Sequence, residues 1–257
     1  MKRLLLELLV RRYKNTEYQK TRDEWFREIL TGTVLVAGHV ERDPKAPVDD
    51  TADIAFCGVE GYVSRAGNKL AFALDAFDIV VTDLVVLDAG ASTGGFTDCL
   101  LQRGARAVHA VDVGYNQLAY SLRSDPRVVV HERTNIMDVA ALEPPADFAV
   151  MDLSFRSLRR AAAHAAGLTR QRRVVALVKP QFELAAEMRV TQRTPEDAGA
   201  TPADEFTGVI SDEAEQQRVV ETTLRDLGRE GLSCLKQIDS PIAGRHGNRE
   251  YLVYLSL

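Results

Sequence analysis

Residues Asp88-Ala89-Gly90-Ala91-Ser92-Thr93-Gly94-Gly95 follow directly on the apolar run Leu84-Val85-Val86-Leu87. An apolar run that ends in an acid, then a turn of small residues, then the helix-like stretch Phe96 to Arg103 describes a strand feeding a helix through a tight loop. Glycines in such a loop tolerate positive φ and let the backbone approach a ligand closely. In a doubly wound sheet the end of the first strand is where a nucleotide-like molecule sits. One short string therefore constrains both the architecture and the place of the site.

The spacing is neither G-x-G-x-x-G nor a phosphate loop, because no Gly-Lys-Ser/Thr follows. An acid in front and no phosphate-cradling lysine suit a cofactor without phosphates, and S-adenosylmethionine is one. Asp88, Gly90, Ala91, Ser92, Gly94, Gly95 and Phe96 are the candidate cofactor loop. A close-packed turn with no ligand would share these glycines. The cofactor reading is preferred because a second acidic strand end, Asp112, follows seventeen positions after Gly95. A carboxylate there can accept hydrogen bonds from ribose hydroxyls, although a plain solvent-facing strand end would look the same. Asp138, after a third strand, fits the adenine amino group or a helix cap equally well.

From Gly61 onward, β-rich runs alternate with helical patterns. The runs are Val85–Leu87, Ala107–Val113, Val128–Val130, Phe148–Leu153, Val174–Val178, Leu232–Ile238 and Tyr251–Leu257. Alternation of this kind implies an α/β fold with a mostly parallel sheet covered on both faces. The last two runs lie too close for a helical crossover and are expected to form an antiparallel hairpin at one edge. Seven strands ending this way suit a class I, Rossmann-like methyltransferase sheet. Ser64 is expected to cap a helix carrying Leu70, Leu74 and Phe77. Residues 184–215 are rich in Thr, Pro, Asp and Glu and are expected to form a loop near the substrate face.

Residues 1–57 read as a separate small α/β module, joined through 58–62 to a catalytic domain over 63–257. A helix is expected over Leu4–Val10 and another from Asp23 to Leu30, opened by a Thr21…Glu24 capping box. Short strands are expected around Val34–Val40 and Asp53–Phe56. The chain carries a net charge of −5, yet residues 1–27 hold eight basic side chains against four acidic ones. Clustered basic charge is the footprint of a nucleic-acid partner, and equally of a solvated helix face. Arg3, Arg11, Arg12, Lys14, Lys20 and Arg22 are the candidate RNA contacts.

Cys57, Cys99 and Cys234 show neither a disulfide framework nor metal-ligand spacing, which fits a reducing cytoplasm and no bound metal. The apolar start is broken by Glu7 and followed by Arg11-Arg12, unlike a signal peptide. No stretch is long enough to span a bilayer, so no membrane partner is expected.

Asp152 ends the fourth main-sheet run and Lys179 the fifth, so both face one crevice. The string Asp152-Leu153-Ser154-Phe155 lacks the prolines of base-nitrogen methylases. None of the three cysteines stands where a pyrimidine-carbon methylase needs its nucleophile. A hydroxyl acceptor with a general base remains.

Tyr62-Val63-Ser64-Arg65-Ala66-Gly67-Asn68-Lys69-Leu70, the 88–98 loop, Val111–Tyr115, Asp152–Phe155, Val178-Lys179-Pro180-Gln181-Phe182-Glu183 and Gly247-Asn248-Arg249-Glu250 together resemble the TlyA (haemolysin A-like) rRNA 2′-O-methyltransferases, relatives of the FtsJ-type RNA ribose methylases. The resemblance covers nearly the whole chain. It implies an amino-terminal S-four-type RNA-binding domain, S-adenosylmethionine as methyl donor, and ribosomal RNA or a ribosomal subunit as partner. It also implies a catalytic tetrad at Lys69, Asp152, Lys179 and Glu250. In that tetrad Lys179 would be the base, Asp152 its holder, and Lys69 and Glu250 would orient the ribose. The segment after Glu183 is longer and more acidic than the family leads one to expect. A non-catalytic RNA-binding or ribosome-assembly protein, and a membrane-lytic haemolysin, are the competing readings.

Overall fold

A computed structural model describes residues 2–16, 19–31, 34–37, 39–56, 62–154, 156–192, 209–210, 212–244 and 247–257. The chain divides into two compact units, Met1–Ser64 and Arg65–Leu257. The residues read as a linker, 58–62, thus fall within the first unit, and all but Tyr62 lie outside the described residues.

In the first unit, strand β1 (Lys2–Leu4) runs into helix α1 (Leu5–Arg12), followed by α2 (Arg22–Thr31). Strands β2 (Val34–Val36), β3 (His39–Val40), β4 (Pro47–Asp49) and β5 (Ile54–Phe56) complete it. Helix α2 starts where the capping box places it. Thr21 N–H and Oγ1–H donate to Glu24 Oε2 at 2.6 and 2.8 Å, and Glu24 N–H returns to Thr21 Oγ1 at 3.3 Å. Leu5, Leu8 and Leu9 of α1 bury against Trp25 and Ile29 of α2. Strand β2 lies between β3 and β5, while β1 pairs antiparallel with β4. The expected first helix therefore begins one residue later, because Leu4 belongs to β1.

The second unit opens with α3 (Arg65–Phe77) and then alternates: β6 (Val85–Ala89), α4 (Gly95–Gln102), β7 (Ala107–Val111), α5 (Tyr120–Arg123), β8 (Val128–His131), a 3-10 turn (Ile136–Asp138), β9 (Phe148–Met151), α6 (Ala161–Gly167), β10 (Arg173–Val178), α7 (Pro180–Gln192), α8 (Glu213–Arg229), β11 (Ser233–Asp239) and β12 (Tyr251–Ser256). The seven strands lie in the order β11-β12-β10-β9-β6-β7-β8. Strands β8, β7, β6, β9 and β10 run parallel to one another, and β12 inserts antiparallel between β10 and β11. Val85, Leu87 and Ala89 of β6 face the core shared with Ala162 and Ala165 of α6 and Val220 and Leu227 of α8. Alternate residues point the other way, and there Asp88 meets Thr97 of α4.

The expectation of a loop over 184–215 is corrected at its start, whereas the helix expected from about Ala214 to Arg229 is met within one residue. Pro180 presets the first helical turn, and Leu184, Ala185, Ala186, Glu187 and Met188 are strong helix formers that carry α7 to Gln192. At the far end, Asp212 caps α8 by accepting from Ala214 N–H at 2.9 Å. Residues 193–208 and 211 lie outside the described residues.

Candidate active site

Pair register lines up the ends of five strands. Ala89 of β6 pairs with Val111 of β7 and with Met151 of β9, so the next residues out, Asp112, Gly90 and Asp152, leave the sheet side by side. Between β9 and β10 the register pairs Ala176 with Met151, which sets Lys179 level with Ser154. Between β10 and β12 it pairs Val178 with Tyr251, which sets Lys179 beside Glu250. Asp112 and Lys179 stand three strand spacings apart, about 14 Å. This row is a consequence of pairing alone, before any side chain is placed.

At the β6 end, Gly90 has φ of +91° and Gly94 of +96°. A Cβ on Gly90 would lie 2.4 Å from the Asp152 carbonyl oxygen, so the loop and the end of β9 touch with no room for a side chain. Asp88 is fully buried, and Thr97 Oγ1–H donates to its Oδ2 at 2.6 Å. Burial, and secondarily the negative charges of Asp152 and Asp112, push its carboxyl up to about 7 despite the Thr97 hydrogen bond.

Asp112 is half-buried at the end of β7. Its Oδ2 accepts from Ser92 N–H at 2.8 Å and its Oδ1 from Gly114 N–H at 2.6 Å. The carboxylate is thus not a bare strand-end acid. It fixes the loop after β6 at Ser92 and retains further lone pairs for an incoming donor. Ala91, Ser92, Ala110, Asp112, Gly114, Gln117, Leu118, Val130 and Glu132 line a small pocket of about 10 Å³ beside it. Asp138 is exposed, and the capping role at that turn belongs to Asn135, whose Oδ1 accepts from Met137 N–H at 3.1 Å.

At the β10 end, Lys179 Nζ lies 2.5 Å from Asp152 Oδ1 and donates to Ser154 Oγ at 3.1 Å. Lys69 of α3 pairs with Glu250, which immediately precedes β12. The Lys69 and Glu250 side chains are 10% and 3% exposed, and those of Lys179 and Asp152 are 11% and 19% exposed. All four expected charged residues are therefore brought to one end of the sheet as two pairs. Gly244 covers Glu250 so closely that a Cβ there would lie 2.1 Å from Glu250 Oε1.

Sequence reasoning did not assign Ser154, Glu183 or Gly244. Ser154 and Glu183 stand inside strings already singled out, Asp152–Phe155 and Val178–Glu183, but their partners depend on register. Gly244 gives no local signal, since its φ is not positive.

The FtsJ-like methyltransferase family matches residues 62–257. The chain belongs to that family. Among curated relatives, the 16S/23S rRNA (cytidine-2′-O)-methyltransferase TlyA of Mycobacterium tuberculosis is 39% identical over 92% of this chain and 84% of its own length. Hemolysin A of Brachyspira hyodysenteriae is 36% identical over 92% of this chain and 94% of its own. Among solved structures, a Streptococcus thermophilus protein described as a hemolysin aligns with a TM-score of 0.69 at 35% identity, covering 99% of this chain and 88% of that one.

As an FtsJ-like methyltransferase the chain uses S-adenosylmethionine, and the site's donor set fits it. Carboxylates of Asp112 and Glu132 flank the pocket, Ala91, Ala110, Leu118 and Val130 give it an apolar floor, and no lysine lines it to hold a phosphate. Asp112 would hold the ribose diol and the 90–94 loop the amino-acid end.

Of the basic residues expected to meet RNA, three are already engaged within the first unit. Arg3 Nε lies 2.7 Å from Asp50. Arg12 donates to the carbonyls of Ala52, at 2.8 Å, and Asp50, tying α1 to the turn between β4 and β5. Lys20 pairs with Glu28 and sits 5.3 Å over the Trp25 ring. Arg11, Lys14 and Arg22 are exposed.

Among the described residues no helix is long and apolar enough to cross a membrane.

Proposed function

We propose that this enzyme methylates a ribose 2′-hydroxyl of ribosomal RNA. The observation that carries the reading is the Lys179–Asp152 pair, with Ser154 as second acceptor, at a strand end that touches the cofactor loop through Gly90. S-adenosylmethionine supplies an electrophilic methyl on a sulfonium. Lys179 is the general base that takes the 2′-hydroxyl proton as the ribose oxygen attacks. Its Nζ donates to Ser154 Oγ and stands 2.5 Å from Asp152 Oδ1, and these two neighbours hold it at the strand end to receive that proton. The sealed Lys69–Glu250 pair fixes the wall against which the ribose is oriented, so that oxygen and methyl carbon meet in line. The relatives' names supply the acceptor: the Mycobacterium tuberculosis TlyA is named for 16S and 23S rRNA cytidine 2′-O-methylation.

The first unit is the S-four-type RNA-holding module in this reading, with Arg11, Lys14 and Arg22 as its phosphate contacts. The cytoplasm, where ribosomes are assembled, is the compartment. The test is methyl transfer from tritiated S-adenosylmethionine to ribosomal subunits stripped of methylation, with the product nucleoside identified after digestion. A 2′-O-methyl nucleoside is expected. A base-methylated product overturns the assignment of Lys179. Cofactor binding without transfer favours an assembly protein. Within the same assay, replacing Arg11, Lys14 and Arg22 together lowers the salt dependence of RNA binding, whereas Arg12→Ala lowers the stability of the first unit.

A further inference from the structure

The loop that leaves β9 carries Asp152 and Ser154, and the helix that leaves β10 begins one residue after Lys179. These two segments are joined a second time, one helical turn further out, through Glu183. Its side chain is buried, with the residue 1% exposed. Glu183 Oε2 accepts from Ser157 Oγ–H at 2.5 Å, and Oε1 accepts from Leu158 N–H at 2.8 Å. Arg159 Nη1 lies 3.3 Å from Oε2, and the same guanidinium reaches Asp226 of α8 through Nε at 2.9 Å. Lys179 and Glu183 are four residues apart on one segment, and Ser154 and Ser157 are three apart on the other. The two segments are therefore cross-linked at two places, at Lys179 and at Glu183.

We propose that Glu183 is a positioning residue: by clamping Ser157, Leu158 and Arg159 onto α7, it sets where Asp152 and Ser154 stand against Lys179. The inference rests on the reading of Lys179 as the base. A carboxylate so deeply buried is costly unless paired and hydrogen-bonded, and here two donors and a guanidinium supply that. Burial holds its carboxyl above the usual range in spite of them. An amide in its place offers one oxygen instead of two and no charge for Arg159. The clamp then loosens at Oε2, where Ser157 and Arg159 both converge.

The experiment uses the full chain and does not need activity. Brief acetylation with acetic anhydride, read by mass spectrometry, gives the relative reactivity of Lys179 and of Lys236. Lys236 lies on β11, where its Nζ donates to the Phe77 carbonyl at 2.9 Å, and serves as the internal control. Glu183→Gln is expected to raise the Lys179 rate at least about threefold with Lys236 unchanged. An unchanged Lys179 rate overturns the proposal. If both rates rise, the variant has unfolded, and Ser157→Ala, which removes one donor, takes its place under the same criterion.

Single-turnover methyl transfer then separates positioning from plain support. Glu183→Gln lowers the rate about tenfold with cofactor affinity unchanged, and its loss combines with that of Ser154→Ala less than multiplicatively, because both act through Lys179. Multiplicative losses overturn the proposal. Labelling as expected in a protein that transfers no methyl to ribosomal subunits overturns the proposed function and leaves the clamp in place.

Discussion

Lys69–Glu250 and Lys179–Asp152 are both lysine–carboxylate pairs at one end of one sheet, yet they meet water differently. The carboxylate of the first is 3% exposed and that of the second 19%. The first joins α3 to the residue before β12 across 181 positions and lies under Gly244. The second joins two neighbouring strand ends and has an exposed serine as an additional partner. Breaking a sealed ion pair strands a charge. At the second pair Asp152 is the member that reaches water, since the two lysines are about equally buried, at 10% and 11% exposed. In the proposed reaction the first pair fastens and the second carries the chemistry.

The largest effect that tests this division is at the open pair. Lys179→Ala should lower methyl transfer by about a thousandfold, with cofactor affinity by titration calorimetry unchanged. Loss of cofactor binding would instead make Lys179 part of the donor site.

Next comes the sealed pair. Glu250→Gln leaves Lys69 buried without its counter-charge and should cost about 3–5 kcal/mol in denaturant unfolding. The double variant Glu250→Gln, Lys69→Met should recover much of that stability without recovering activity. Equal stability of single and double variants would show that the pair is not a fastening.

Gly244→Ala should cost about 1–3 kcal/mol, since the new methyl must displace Glu250. A wild-type-like melting curve would mean that the cover over the pair yields easily.

A separate, pH-dependent effect lies at Asp88. Asp88 has a folded-state value of about 7, above its ordinary 3.8. A raised value means that the folded state keeps a proton the unfolded chain has lost. Its contribution to stability is present below about pH 4 and is lost as pH rises through about 7. Asp88→Asn should remove this decline, changing the slope of unfolding free energy between those limits by up to about 1.4 kcal/mol per pH unit. Parallel wild-type and variant curves would place the titration elsewhere.

The turn from β6 into α4 was legible because its signals are local. An apolar run, an acid and spaced glycines occupy eight consecutive residues at Asp88–Gly95, and Asp112 closes the next strand. The tetrad was reached through resemblance, and the register then explains why its members converge. What could not be read has physical reasons. Strands β1 and β4 have three residues each, too few to show a period of two. Helix α7 was hidden because it follows Lys179 directly and runs into a Thr- and Pro-rich segment whose composition masks its periodicity. Charge counting could not tell Arg12, spent on the carbonyls of Asp50 and Ala52, from Arg11, which faces solvent.

Gly90 presses against the main chain of Asp152 with less than a methyl group's width to spare. Under the proposed reaction, the donor side and the acceptor side would share that single thickness of main chain, so even one methyl group added at position 90 would disturb both at once.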